Sequence, residues 1–230
     1  MKFTSAIILA AGNGTRFGGN VKKQYVDILG YTPVQRCALA FESSKVIDEI
    51  IFVGDVEELT AQLADLNLKK LKKIVPGGNT RQESALCGFD AISRRSKYVA
   101  IHDAARCLVT ESIIEDTVKA AYKYRASVAA EKTVDTVKRA DKDGFLAETL
   151  DRDYIWLAKT PQVFLADIYR ASAYTAKKDG VEVTDDCMLA ERLGFKVKLV
   201  DCGHDNIKLT SYGDLDRAIS ILKKREDVEV

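Results

Sequence analysis

No stretch of the 230 residues approaches the roughly 18 to 20 consecutive apolar positions of a membrane span. The five cysteines (Cys37, Cys87, Cys107, Cys187 and Cys202) are odd in number, far apart and without a C-x-x-C pair, and the histidines are only His102 and His204. A disulfide framework and a zinc site of three or four His/Cys ligands are both excluded on that count. Charge of one sign is lacking too: 35 Lys+Arg against 34 Asp+Glu leave +1. A protein that coats nucleic acid would carry a basic excess or stripe. Lys69, Lys70, Lys72 and Lys73 are the one such cluster, and they are expected to form a solvated helix end leading into a strand that ends at Val75. Met1 to Leu9 has only Lys2 ahead of a short apolar stretch and is expected to be a buried strand rather than a signal peptide, so the cytoplasm is the expected location.

What is present, 47% hydrophobic and 30% charged residues in 25.4 kDa, suits a soluble chain with a single large core. Short apolar runs at Ser5–Leu9, Glu49–Val53, Ile74–Val75, Tyr98–Ile101, Ser127–Ala130 and Val197–Val200 alternate with helical patterns. That order predicts an α/β fold, Rossmann-like, with a mainly parallel sheet flanked by helices and a single domain over 1–230. The first helix is defined by Thr32 as cap, Pro33 in its first turn, and Val34, Cys37, Ala38 and Phe41 at i, i+3, i+4, i+7 spacing. Further helices are predicted at Gln82–Ser93, Glu111–Tyr124, Leu165–Lys178 and Asp185–Leu193, with Gly180 and Gly194 closing the last two. A final helix carries Leu215, Ala218, Ile219 and Leu222 on one face.

Residues 134–149 break the alternation. Two extended segments flank Ala140-Asp141-Lys142-Asp143-Gly144, which predicts an inserted β-hairpin arm. A hairpin with few neighbours of its own is marginal alone and gains by packing on a second copy of the chain, so a homodimer is expected.

Ala10-Ala11-Gly12-Asn13-Gly14-Thr15-Arg16-Phe17-Gly18-Gly19 follows directly on the first strand. Glycines let main-chain N–H groups approach phosphate oxygens. No Gly-Lys-Ser or Gly-Lys-Thr occurs, which removes a Walker loop, and Gly18 comes one place late for a dinucleotide fingerprint.

Leu9-Ala10-Ala11-Gly12-x-Gly14-x-Arg16 with Lys23-Gln24-Tyr25 resembles the signature loop of sugar-phosphate nucleotidyltransferases, in particular the cytidylyltransferases that act on 2-C-methyl-D-erythritol 4-phosphate in isoprenoid synthesis. Gly77-Gly78-x-x-Arg81-x-x-Ser84, His102-Asp103-Ala104-Ala105-Arg106, Asp135-Thr136-x-Lys138, Asp151-Arg152, Thr160-Pro161-Gln162-x-Phe164, Thr184-Asp185 and Asp205-Asn206-Ile207-Lys208 follow in that family's order.

The resemblance implies transfer of a cytidylyl group from CTP to a polyol phosphate, with pyrophosphate released. The attacking phosphate is already an anion, so no strong base is needed, whereas positive charge against the transition state is. It implies that Arg16 and Lys23 face the triphosphate, and that Arg152 and Lys208 position the sugar phosphate. Ala10, Ala11, Gly12, Gly78, Arg81 and Ser84 match the CTP-binding set, Asp103, Ala104 and Arg106 add to the substrate site, and Thr136 contacts the polyol phosphate from the arm. Asp103, at the carboxyl end of a strand, is the implied Mg²⁺ ligand; its alternative is a carboxylate satisfied by local N–H groups or by Arg106. His102 faces the other way and is expected to be structural, and Thr160-Pro161-Gln162 to be a turn before the next helix. Cys107 stands where the family usually has proline, and Val134 where a basic residue commonly precedes Asp135-Thr136; both changes bear on substrate affinity. The rival within the same chemistry is a ribitol 5-phosphate cytidylyltransferase. Ala10-Ala11-Gly12 and Ala104-Ala105 differ from that sister's usual second glycine and Ser-Val. From another class, the imperfect glycine loop leaves a dehydrogenase or regulatory nucleotide module, which CTP with Mg²⁺ against NAD in a thermal shift separates.

Overall fold

The computed structural model describes residues 2–12 and 22–228. Seven strands form one sheet in the order β3-β2-β1-β4-β8-β5-β9. They are β1 (Thr4–Leu9), β2 (Glu49–Val53), β3 (Leu71–Val75), β4 (Tyr98–Asp103), β5 (Ala126–Lys132), β8 (Trp156–Leu165) and β9 (Lys198–Asp201), while β6 (Lys138–Ala140) and β7 (Leu146–Thr149) pair apart from it. Every pairing in the large sheet is parallel except those of β8 with β4 and β5. The helices are α1 (Pro33–Ser43), α2 (Val56–Leu63), α3 (Arg81–Ala91), α4 (Glu111–Tyr124), α5 (Ala166–Lys178), α6 (Asp186–Arg192) and α7 (Tyr212–Val228).

Alternation along the strands sorts the core into two layers. Ala6, Ile8, Ile50, Phe52 and Ala100 pack with α1, α2, α4 and α7. Ile7, Val53, Val99 and Ile101 face α3, α5 and α6 on the other side. The chain goes from β1 to β2 and β3, then returns to place β4 on the opposite flank of β1. Open α/β sheets bind ligands in the crevice such a reversal leaves at the strands' carboxyl ends.

The expected mainly parallel, Rossmann-like sheet is therefore present, and α1 matches its prediction: Thr32 and Gln35 form a reciprocal capping box, and Cys37 is buried. Gly180 and Gly194 follow α5 and α6 with φ of +66° and +78°. Two expectations are corrected. The lysine cluster is no helix end: α2 stops at Leu63, and Lys72 and Lys73 lie within β3, an edge strand whose charges discourage pairing with other chains. Thr160-Pro161-Gln162 is no turn but lies within β8. The β5 register jumps from Val128↔Gln162 to Ala130↔Ala158, so β8 bulges there, and a bulge accommodates a proline that has no N–H for the ladder.

The hairpin arm is held by its own groups. Asp141 Oδ1 accepts from the N–H groups of Asp143 and Phe145 at 3.0 and 2.9 Å, and Arg139 pairs with Glu148 at 2.9 Å. Its apolar side chains are uncovered: Val134, Phe145 and Leu146 are 65%, 72% and 64% exposed. Among the described residues no helix is long and apolar enough to cross a membrane.

Gly88 sits inside α3, where alanine would ordinarily be favoured by about 0.5–1 kcal/mol. A Cβ here would strike Ile7 Cγ2 and lie 2.8 Å from Val53 Cγ2. Gly88→Ala is therefore expected to destabilise the fold by about 1–3 kcal/mol in urea unfolding, overpacking outweighing propensity. A variant more stable than the parent would contradict this.

Candidate active site

Residues that follow β1, β3 and β4 converge on a cleft of about 470 Å³. Ala10, Ala11, Gly12, Lys23, Gly78, Arg81, Ser84, Asp103, Ala104 and Lys208, ten of the residues singled out from sequence, line it together with Leu9, Gln24, Asn79, Thr80 and Ala105. The backbone of Gly77 comes so close to β1's extension that a Cβ there would collide with the Ala11 Cβ. Ser84, in the first turn of α3, donates to Thr80 O at 2.9 Å and accepts from Gly78 N–H at 3.1 Å, which fixes the loop's shape.

At the centre is Asp103, the last residue of β4. Arg81 Nε donates to its Oδ1 at 3.0 Å and Lys208 Nζ to its Oδ2 at 2.6 Å. Burial opposes its ionisation, but the Arg81 guanidinium and the Lys208 ammonium outweigh burial and hold the carboxyl well below the usual carboxylate range. Arg81 is gripped from behind, with Nη1 2.7 Å from Oδ2 of the buried Asp186, whose Oδ1 accepts from Tyr169 OH at 3.2 Å. Burial pushes the Asp186 carboxyl up, and Arg81 pulls against that.

Behind Asp103 runs a second network. Asp103 N–H donates to Thr160 Oγ1 at 3.1 Å, and Thr160 Oγ1 lies 3.0 Å from His102 Nδ1. His102 Nε2 is 3.2 Å from the carbonyl of Arg106. Since a carbonyl only accepts, Nε2 carries the proton and Nδ1 accepts from the threonine hydroxyl. Burial pushes the His102 imidazole down to about 4, which keeps it neutral, and its ring packs on Phe41. The bulge in β8 is what turns Thr160 to this position.

The remaining expected residues are elsewhere. Arg106 does not pair with Asp103: its Nη1 donates to Asn206 O at 3.0 Å, while Asn206 Nδ2 donates to Thr160 O at 2.8 Å, an arrangement that secures the segment carrying Lys208. Thr136 and Arg152 are exposed at the base of the arm, where Arg152 Nη1 donates to Val134 O at 2.8 Å, and neither lines the cleft. Arg16 lies outside the described residues.

The motifs assign no role to Asp186 or Tyr169, and none to Gln24 beyond its place in Lys23-Gln24-Tyr25. Asp185-Asp186 ahead of an apolar helix was the available signal: the first caps α6 by accepting from Met188 N–H, and a second acid beside a cap is free to turn inward.

His102 makes stability depend on pH. Its pKa falls from about 6.5 in the unfolded chain to about 4 in the fold, so the unfolded state binds more protons between those values. The contribution is complete above the unfolded value and is lost as pH falls towards the folded one. Urea unfolding is expected to show about 2 kcal/mol lost between pH 7 and pH 5. The Asp103 carboxyl, depressed from 3.8, acts in a lower window. His102→Asn should flatten the loss between pH 7 and pH 5; an unchanged slope would remove His102 as its source.

A sequence profile of the 2-C-methyl-D-erythritol 4-phosphate cytidylyltransferase family (IspD) matches residues 4–224. The 2-C-methyl-D-erythritol 4-phosphate cytidylyltransferase of Caldanaerobacter subterraneus is 41% identical over 225 residues, 96% of this chain and 99% of that one. Among solved structures, 4-diphosphocytidyl-2C-methyl-D-erythritol synthase of Anaerococcus prevotii superposes with a TM-score of 0.87 at 31% identity, over 96% of each chain. The Francisella tularensis 2-C-methyl-D-erythritol 4-phosphate cytidylyltransferase gives 0.79 at 28% identity, over 94% of this chain and 98% of that one. The glycine loop, the Asp103 cleft and the β6–β7 arm thus belong to a nucleotidyltransferase, and this chain is a member of the 2-C-methyl-D-erythritol 4-phosphate cytidylyltransferase family.

Proposed function

We propose that the cleft joins CTP to 2-C-methyl-D-erythritol 4-phosphate, giving 4-diphosphocytidyl-2-C-methyl-D-erythritol and pyrophosphate. The observation that carries this reading is the Asp103 carboxylate held between Arg81 and Lys208 in the same cleft as Lys23 and the Ala10–Gly12 backbone. The phosphate monoester of the acceptor attacks the α-phosphorus, the new P–O bond forms as the bond to the pyrophosphate oxygen breaks, and no proton has to be removed first. Catalysis is then positioning and charge. Lys23 lines the cleft where the triphosphate would lie, and the family resemblance gives Arg16 a role on the same phosphates. Lys208 has ammonium hydrogens beyond the one given to Asp103 and directs them to the acceptor phosphate. Ala10, Ala11, Gly12, Gly78 and Ser84 leave the walls small, so that main-chain groups meet a pyrimidine edge.

Among the described residues no group of three or more His, Cys, Asp or Glu could cage a metal. Asp103, ionised and at the cleft, is the carboxylate that would hold Mg²⁺, sharing its oxygens with Arg81 and Lys208, since Mg²⁺ takes one or two protein carboxylates and completes its shell with phosphate oxygens and water. Bound there, Mg²⁺ would neutralise charge on the phosphates.

The arm supports a homodimer: its uncovered Phe145 and Leu146 seek a partner surface, and Thr136 and Arg152 at its base are exposed and do not line their own cleft. In the dimer they would serve the acceptor site of the second copy.

Pyrophosphate release with CTP, Mg²⁺ and each polyol phosphate in parallel tests the reaction; methylerythritol phosphate should be turned over and ribitol 5-phosphate should not, and the reverse would reassign the substrate. Lys23→Ala is expected to lower kcat/KM by about 100-fold or more, with retention of the fold checked by Tm. A chain lacking residues 139–148 should sediment as a monomer, and a persistent dimer would refute assembly through the arm.

A further inference from the structure

Gln24 is charged neither way and contributes no chemistry to phosphoryl transfer, yet it is 4% exposed at the floor of the cleft. It lies in a single 3-10 turn, Lys23–Tyr25, so that successive side chains point in different directions: Lys23 lines the cleft and Gln24 goes under it. The Gln24 Nε2 donates to Ala10 O at 3.0 Å and to Gly12 O at 2.9 Å. Only the NH₂ end of the amide can face two carbonyls, so its orientation is set by chemistry. Both of its hydrogens are used, one on each side of Ala11.

A trans peptide points its C=O and its N–H in opposite directions. Holding the Ala10 carbonyl down on Gln24 therefore turns the Ala11 N–H, which shares that peptide, away from Gln24. The other side of Ala10 is fixed as well, since its N–H donates to Val53 O at 2.8 Å. The turn that bears Gln24 is anchored independently: Tyr25 N–H donates to Lys22 O at 2.9 Å, and Lys22 Nζ lies 2.6 Å from Glu58 Oε2 on α2. Without the amide, the two carbonyls would lack their donor and be free to rotate, and the Ala11 N–H would lose its fixed direction.

We propose that Gln24 is a positioning residue for the nucleotide: it holds the Ala10 and Gly12 carbonyls so that the Ala11 N–H stays aimed away from Gln24 at CTP, and it sets the turn that aims Lys23 at the triphosphate. The inference rests on the cytidylyltransferase reading and extends it to a side chain whose donors are spent on the protein's own backbone.

The test uses the full-length protein with Gln24→Met, similar in length but without donors, and Gln24→Glu, the same shape with a carboxylate against two carbonyls. KM for CTP in the pyrophosphate assay should rise about tenfold or more in Gln24→Met and further in Gln24→Glu, with KM for methylerythritol phosphate within about twofold of the parent. Direct titration of CTP into each folded protein should show the same loss of affinity. If Gln24→Glu fails to fold, Gln24→Met carries the test, its fold checked by Tm. Unchanged CTP affinity, or a fall in kcat alone with both KM values retained, would overturn the inference and leave Gln24 a packing residue. A parent protein that releases no pyrophosphate from CTP and methylerythritol phosphate would instead overturn the functional reading, whatever the variants do.

Discussion

The cleft is organised around the carboxylate of Asp103. It ends a strand that is buried along its length, and a lone carboxylate there would be neutralised rather than tolerated. Arg81, 22 residues before it, and Lys208, 105 residues after it, make its charge stable. Because the Asp103 carboxylate is buried, losing either cation would leave it less fully compensated. Those pairs consequently hold α3 and the segment before α7 against the end of β4, and the opening between them is the site. Asp186 extends the chain of charges, so that two carboxylates and two cations alternate from α6 across the cleft. Such a row is close to neutral. Among the described residues the attraction for a polyphosphate then falls to Lys23, to the spare hydrogens of Lys208 and to main-chain N–H groups, so the direction of the peptides after β1 matters.

The antiparallel strand β8 explains how that carboxylate is aimed. Lying between β4 and β5, it brings Thr160 under Asp103 and His102, and its bulge breaks the ladder where Thr160 must turn. Thr160 is also the acceptor, through its carbonyl, that secures Asn206 and with it the approach to Lys208. One irregular stretch of strand therefore supports both ends of the Asp103–Lys208 pair.

Local pattern revealed some elements and hid others for identifiable reasons. Thr32, Pro33 and the apolar stripe through Phe41 define α1 because caps and helical spacing are near-neighbour effects. The arm was legible from Asp141 to Gly144 for the same reason. Pro161 concealed β8, since a proline argues against a central strand unless a bulge relieves it, and a bulge is visible only against its partner strand. Asp103 was legible as a charged end to an apolar run, but its partners were not: Arg106 is three residues away in sequence and turns to Asn206, while Arg81 and Lys208 arrive from distant segments.

The alternation of strands and helices, the glycine-rich segment after β1 and the reaction that the order of motifs implies were all legible along the chain. That ten of those residues share one cleft, which charges pair, which carbonyls are masked and which expected residues stand apart, as Thr136 and Arg152 do, emerged only from the folded chain. Composition and spacing act over a few bonds, whereas the ionisation of a carboxylate and the direction of a peptide dipole are set by whatever the fold packs against them within a few ångströms.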